Sequence, residues 1–227
     1  MSVNYKNIKL KETGDGSHTL YVPALNEHFH SLHGAIQESE HVFLKMGFKA
    51  IADKDPVRIL EVGMGTGLNV LLTFISNTVL KREVHYTAIE KFPLSLGTVQ
   101  KLNYDQYFEP VYADVFQKIH ESPMNETCQL SAQFLLNKLE IDWLGFQSEK
   151  MFDLVYFDAF GPDKQPEMWS QEVFQRLYDQ MEEEGVLVTY SAKGLIKRRL
   201  KQVGFQVESL EGPPGKREMI RAVRRDE

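Results

Sequence analysis

The chain has 227 residues, 42% hydrophobic and 26% charged, with a formal net charge of −6; such a chain can bury about 70% of its unfolded surface in one core. Its single cysteine, Cys128, excludes an internal disulfide framework and fits a reducing compartment. The polar opening MSVNYKNIKLKETGDGS lacks the apolar stretch of a signal peptide, no apolar run nears the roughly 20 residues that span a bilayer, and the acidic balance argues against a generic nucleic-acid binder, so the reading is a soluble cytoplasmic protein.

In chain order, NIKLKETGDGSHTLYVP reads as a hairpin around Gly14-Asp15-Gly16. AIQESEHVFLKMGF then reads as a helix with Ile36, Val42, Phe43 and Met46 on one face. This opening, residues 1–50, is taken as an extension of a main domain at 51–227. From about residue 55 strands alternate with helices. The strand candidates are 57–62, 84–90, 134–140, 152–158, 185–191, 205–210 and 218–223. Between the fourth and fifth, PEMWSQEVFQRLYDQMEEEG carries Met168, Trp169, Phe174, Leu177, Tyr178 and Met181 at helical spacing, with Gly185 as its C-cap. That alternation implies a parallel sheet with right-handed crossovers. Only EGPPGKR separates the last two strands, too short for a crossover, so they pair antiparallel.

Ligands of open parallel sheets bind beyond the carboxyl ends of the strands, and four such ends carry polar signals. In ILEVGMGTGLNVL, Gly63, Gly65 and Gly67 follow a buried strand and open a helix, where glycine permits close backbone approach and N–H groups stand unpaired. Their G-x-G-x-G spacing differs from the dinucleotide pattern, and Glu61 beside them suits an ammonium group, which favours a cofactor bearing an amino acid. Glu90, ending the second strand, can accept both hydroxyls of a ribose, in NAD and S-adenosylmethionine alike. Asp142, after the third, can accept from an adenine amino group or serve as a turn acid, with Asp114 as a competitor. Asp158 ends the fourth strand and is expected beside Asp142, facing the reactive end of the ligand. Gly161 and Pro162 make its exit a fixed turn, and Pro166 suits a helix N1 position; stiff backbone of this kind positions a reacting group.

His28, His30 and His33 lack companions at metal-ligand spacing, so no metal is expected and they are read as lining a lid or packing at the surface. Residues 191–225 hold ten Lys or Arg against three Glu. A basic face on an acidic chain is either a footprint for a polyanion or a solvated helix and tail.

EVGMGTGLN, EKFPLS, FDAFGPDKQPEMW, TYSAKGLIKRRLKQVGF and GPPGKREMIRA together resemble the methyltransferase domain of MnmC, the bifunctional enzyme of tRNA wobble-uridine modification, and its stand-alone relatives. The likeness runs over nearly the whole chain. It implies a Rossmann-like class I methyltransferase sheet, mostly parallel with a terminal antiparallel hairpin. It also implies transfer of a methyl group from S-adenosylmethionine to the aminomethyl group of the uridine, giving the 5-methylaminomethyl form. Glu61, Gly63, Gly65, Gly67 and Asn69 then fall on the cofactor loop, Glu90 on the ribose acid, and Asp142 on the acid of a Gly-Asp pair in which Ile141 replaces the glycine. Asp158 falls on the active-site aspartate. Its role would be to accept an N–H bond that orients the amine lone pair and to stabilise the charge developing on nitrogen. Lys193, Arg198, Arg199, Lys216 and Arg217 would hold tRNA phosphates, which give affinity and salt dependence rather than base choice. Phe160 and Trp169 are aromatic candidates for the base pocket or the core. The bifunctional enzyme also carries a flavin-dependent oxidase domain, for which 227 residues leave no room, so a separate enzyme is expected to supply the aminomethyl substrate. A polyamine aminopropyltransferase, an NAD-dependent oxidoreductase and a non-enzymatic tRNA-binding module remain as alternatives.

Overall fold

The structure is a computed structural model that describes residues 7–225; the first six residues of the polar opening lie outside the described residues. Two sheets form. The smaller is antiparallel, β1 (Lys9–Glu12), β2 (His18–Val22) and β3 (Glu27–His28) in that order. The predicted hairpin is its first pair, closed where the Asp15 carboxylate accepts from the Ser17 amide at 3.0 Å and from the Thr13 hydroxyl at 2.7 Å.

The larger sheet contains β4 (Val57–Val62), β5 (Val84–Glu90), β6 (Thr127–Ser131), β7 (Phe134–Glu140), β8 (Phe152–Phe157), β9 (Met181–Thr189), β10 (Gln206–Glu211) and β11 (Glu218–Val223). Across the sheet the order is β10-β11-β9-β8-β4-β5-β7-β6. The five strands from β9 to β7 are mutually parallel, and β10 and β11 close one edge as an antiparallel hairpin, as the short EGPPGKR link predicts. Every residue of β8 is buried, as befits a central strand covered on both faces. One face packs on the 35–51 segment, which begins as α1 (Ala35–Ser39), and on α2 (Leu68–Leu80), α3 (Leu96–Val99) and α4 (Val111–Glu121), through residues such as Phe43, Leu71, Val99 and Tyr156. The other packs on α5 (Gln171–Asp179) and α6 (Gly194–Val203), through Phe157, Phe174 and Leu200. The buried Arg82 guanidinium fastens the 48–54 turns, donating to the carbonyls of Phe48, Ile51 and Lys54 and lying 3.9 Å from the Phe48 ring centroid.

Four features differ from the sequence expectations. The helix expected over 35–48 begins as α1 (Ala35–Ser39), widens into a π-helix over Glu40–Lys45 and gives way to a 3₁₀ turn over Phe48–Ile51. The helix expected to run from Pro166 to Gly185 is shorter. Pro166–Trp169 form a 3₁₀ turn, the Ser170 hydroxyl caps α5 by accepting from the Val173 amide at 3.3 Å, and α5 ends at Asp179. Met181 already pairs with Phe152, so Gly185 is no helix cap; it lies in an irregular strand start where the register jumps from Met181 to Val186. Pairing to the central strand outweighs the helix preference of three glutamates. An additional edge strand, β6, pairs antiparallel with β7. Finally, the strand order places Asp158 beside the end of β4, with β5 and β7 beyond, and not beside Asp142. Among the described residues no helix is long and apolar enough to cross a membrane.

Candidate active site

The carboxyl ends of β4, β5, β7 and β8 open into a cavity of about 450 Å³, within the roughly 300–1,000 Å³ of small-molecule sites. Its floor is the glycine loop after β4. Gly63 and Gly65 line it with φ of 92° and 51°, and Gly67 opens α2 at 72°. A Cβ at Gly63 would meet the Asp158 carbonyl oxygen at 2.7 Å, and one at Gly65 the Phe29 ring at 2.9 Å. The loop is therefore glycine both for its backbone angles and for the space above it. Thr66, in the same loop, is held by His30 (Nε2 to its hydroxyl, 2.6 Å) and by His120 (Nε2 to its carbonyl, 3.0 Å). Burial depresses both imidazoles to about 4, so they stay neutral at ordinary pH.

Four carboxyl groups surround this floor, each in a different setting. Glu90 lines the cavity and accepts from the Gly65 amide at 3.0 Å and the Phe92 amide at 2.9 Å; burial raises its pKa, and those amides oppose the rise. Asp142 also lines the cavity. It caps a short turn by accepting from the Leu144 amide at 3.1 Å, and the Lys91 ammonium bound to it holds its carboxyl below the usual range. Glu61 does not line the cavity: it is 0% exposed within β4 and accepts from Asn69 Nδ2 at 2.9 Å. Burial raises its pKa well above the usual carboxylate value, with Asp158 and Glu90 adding to the rise. Asp158 lines the cavity and accepts from the same Asn69 Nδ2 at 3.0 Å; burial, then the Glu38 carboxylate, push it up to about 8.

The exit behind Asp158 is braced at each step. The Asp158 amide donates to the Val62 carbonyl at 3.0 Å, the Tyr190 hydroxyl to the Ala159 carbonyl at 2.8 Å, and Trp169 Nε1 to the Phe160 carbonyl at 2.8 Å. The Gly161 carbonyl then accepts from the amides of Lys164 and Gln165 at 2.7 and 3.0 Å. Trp169 is fully buried and belongs to the core, whereas Phe160 lines the cavity edge-on to Phe29 at 5.1 Å.

The roof comes from both ends of the described chain. His28, Phe29, His30, His33 and Glu38 descend from the N-terminal segment, and Lys216 from the β10–β11 turn. Lys216 Nζ donates to Glu38 and lies 4.0 Å from the Tyr190 ring centroid. Gly215 packs so closely on His33 that a Cβ there would lie 2.1 Å from the imidazole. Among the described residues no three His, Cys, Asp or Glu side chains gather as a metal site. Outside the roof a second hollow of about 500 Å³ shares Gly161, Tyr190 and Lys216 with the cavity and adds Lys193 and Arg217. Lys193 is ion-paired with Asp163, and Arg217 is exposed. The other two predicted cations lie elsewhere: Arg199 donates to the Trp169 carbonyl at 2.7 Å, and Arg198 is exposed on α6. Asp114 is exposed in the first turn of α4 and does not line the cavity.

Several lining residues escaped the sequence reading. Tyr190 had a signal, since it follows the fifth parallel strand at the same edge as Asp158. Phe29 and Glu38 had none, because no local pattern tells that an N-terminal segment folds over the far edge of a sheet.

Comparison with known proteins agrees with this geometry. A family model described as S-adenosyl-L-methionine-dependent methyltransferase matches residues 102–225. The tRNA 5-methylaminomethyl-2-thiouridine biosynthesis bifunctional protein MnmC of Pseudoalteromonas atlantica is 32% identical over 222 residues, covering 86% of this chain and 30% of that protein. Its counterpart in Idiomarina loihiensis is 29% identical over 210 residues, covering 85% and 34%. The chain thus spans about a third of the length of these curated relatives. The crystal structure of MNMC2 from Aquifex aeolicus superposes with a TM-score of 0.81 at 25% identity, covering 95% of this chain and 70% of that one. Spermidine synthase from Thermotoga maritima, at a TM-score of 0.60 and 15% identity over 96% of this chain and 68% of that one, shares the fold.

Proposed function

Because this chain belongs to the S-adenosyl-L-methionine-dependent methyltransferases, we propose that it methylates the aminomethyl group of a tRNA wobble uridine, giving the 5-methylaminomethyl or 5-methylaminomethyl-2-thio form. The observation that carries the reading is Asp158, a half-buried carboxyl that lines the cavity at a turn braced by Val62, Tyr190 and Trp169. The uridine substrate is taken from the relatives' named pathway, and the chemistry of the cavity is compatible with it.

The residues present fit the cofactor. Gly63 and Gly65 leave a cradle that side chains would fill, and Glu90 keeps lone pairs beyond those its two amide partners use. We assign the ribose hydroxyls to Glu90 and the adenine side to Asp142. Bound S-adenosyl-L-methionine supplies a methyl group on a cationic sulfonium, whose charge favours the ionised form of Asp158.

A methyl acceptor must present a neutral amine lone pair. For a lysine-like amine of pKa about 10.4, deprotonation at pH 7 costs about 4.6 kcal/mol, and desolvation in this cavity lowers that cost. Asp158 contributes on the other side of the barrier. Its oxygens accept an amine N–H, fix the direction of the lone pair and stabilise the positive charge that grows on nitrogen. With burial holding its carboxyl up to about 8, Asp158 is also suited to take the amine's proton near neutral pH. Lys193, Lys216 and Arg217 face the outer hollow, where tRNA phosphates can approach the cavity mouth.

The test is a methylation assay with tRNA bearing 5-aminomethyluridine, read by mass spectrometry of the digested nucleosides. One added methyl group on that nucleoside, lost in Asp158→Ala with S-adenosylhomocysteine affinity retained, supports the reading. Tight S-adenosylhomocysteine binding with no methyl transfer to this tRNA would discard the substrate.

A further inference from the structure

Asn69 lies between two carboxyl groups and serves both. Its Nδ2 donates to Glu61 Oε1 at 2.9 Å and to Asp158 Oδ2 at 3.0 Å, which uses both N–H bonds of the amide. Its Oδ1 is buried without a partner, as is Glu61 Oε2. The reverse orientation of the amide would set its oxygen against the Asp158 carboxylate, so the donor side faces the pair.

The surroundings of the two acids differ. Around Glu61 stand Asn69 from α2, Tyr86 and Glu90 from β5, and Asp158 and Tyr156 from the β8 side. The Tyr86 hydroxyl faces Glu61 and, as a donor, opposes the rise that burial causes, although the two make no hydrogen bond of ordinary geometry. None of these neighbours is a cation. Around Asp158 stand Asn69, Glu38, Tyr190 and the Lys216 ammonium. A buried carboxylate with a bare oxygen and no cation is costly, and two anions bridged by one neutral amide are costlier still. Of the two acids only Asp158 reaches the cavity and has a cation beside it, Lys216, which it shares with Glu38, so a negative charge on the pair belongs on Asp158.

We propose that Glu61 is a positioning residue that stays protonated: its neutral carboxyl fixes the Asn69 amide, which aims Asp158 into the cavity and leaves that aspartate the only anion of the pair. The inference rests on reading Asp158 as the group that faces the amine. It departs from the expectation that Glu61 meets an ammonium group, since Glu61 has no surface on the cavity.

Three measurements on the full chain test it. In kinetics on the tRNA substrate, Glu61→Ala loses kcat by about tenfold or more and Glu61→Gln recovers most of it, with cofactor KM within about threefold throughout. The acid limb of the kcat profile stays in place in Glu61→Gln, because no charge has been removed. A drop of that limb by half a pH unit or more would mean an ionised Glu61 and overturn the proposal. Asn69→Ala moves the limb to higher pH, since the amide lowers the pKa of Asp158. In infrared spectra above pH 9, where Asp158 has ionised, a protonated-carboxyl band is present in the parent and absent in Glu61→Gln. Absence of that band from the parent overturns the proposal whatever the methyl acceptor proves to be. Calorimetry with S-adenosylhomocysteine supplies the third readout. A loss of affinity of about tenfold or more in Glu61→Gln would return Glu61 to direct cofactor binding.

Discussion

Replacing Asp158 by Asn should stabilise the ligand-free protein while removing its activity, and the gain should grow with pH. Burial and Glu38 raise the Asp158 carboxyl from the ordinary 3.8 to about 8. The folded state therefore holds a proton that the unfolded chain has already released. For a group raised in this way, its contribution to stability is fully present below about pH 4. It is lost as the pH climbs through the folded value near 8. The slope across that window is about 1.4 kcal/mol per pH unit, and the whole loss is of order 5 kcal/mol. Asn keeps an oxygen for the Asn69 amide and carries no charge, so Asp158→Asn escapes the loss. Glu61 and Glu90 are raised as well, but they act in both proteins and largely cancel in the difference. For a chain of this size, a few kcal/mol corresponds to a Tm gap on the order of 10 °C. Thermal unfolding of both proteins at pH 5, 7 and 8.5 gives the answer. A gap that opens with pH supports an Asp158 that holds its proton near neutral pH when no cofactor is bound, and parallel curves would refute it. The same carboxyl makes turnover rise with pH, with a midpoint that the charge of bound cofactor draws below 8.

Other perturbations reach different parts of the site. Gly63→Ala forces a Cβ to within 2.7 Å of the Asp158 carbonyl at a φ of 92°. A destabilisation of about 2–4 kcal/mol and weaker S-adenosylhomocysteine binding are expected, measured by denaturant unfolding and calorimetry. Arg82→Met strands the carbonyls of Phe48, Ile51 and Lys54; a stability loss of about 3 kcal/mol or more should follow, with a Tm decrease near 10 °C. Arg217→Ala should raise the KM for tRNA and flatten the salt dependence of binding by about 0.7 to 0.9 in log–log slope, with cofactor affinity intact. An unchanged slope in a salt titration would remove Arg217 from the phosphate contacts. Trp169→Phe removes the bond to the Phe160 carbonyl and should cost about 1 kcal/mol in stability. Because the braced turn carries Asp158, kcat should fall further than this loss accounts for, which single-turnover kinetics can resolve.

The central sheet was legible because its strands are short runs rich in apolar residues between turn signals, β8 being buried along its whole length. The short EGPPGKR link likewise dictated an antiparallel ending. The edge strand β6 was not legible: TCQLS is largely solvent-facing, with only Leu130 buried, so neither alternation nor an apolar run marks it. Met181 misled for a different reason. It continues the helical stripe of α5 in phase, yet its backbone pairs with Phe152, and periodicity cannot tell which pairing wins. At the site, strand ends marked Glu90, Asp142 and Asp158, since that rule depends only on sheet type. It did not give strand order, and so it set Asp158 beside Asp142 when β4 and β5 lie between. Glu61 shows a limit of another kind. Its distance in sequence from the glycine loop suits a ligand contact, but the pleat turns it into the interior.

The contact between Lys216 and Glu38 joins residues 178 positions apart, and this sets a schedule for synthesis. At about 5–20 residues per second, roughly 10–35 s pass on the ribosome between the emergence of one wall of the roof and of the other. The glycine loop, Glu90 and Asp158 are all made within that interval. A nascent chain can therefore assemble the floor of the pocket early, yet it remains open to water until the β10–β11 turn is released. Nucleotide-like ligands met before then have no lid to hold them. Tight retention of cofactor becomes a sign that translation has passed residue 216.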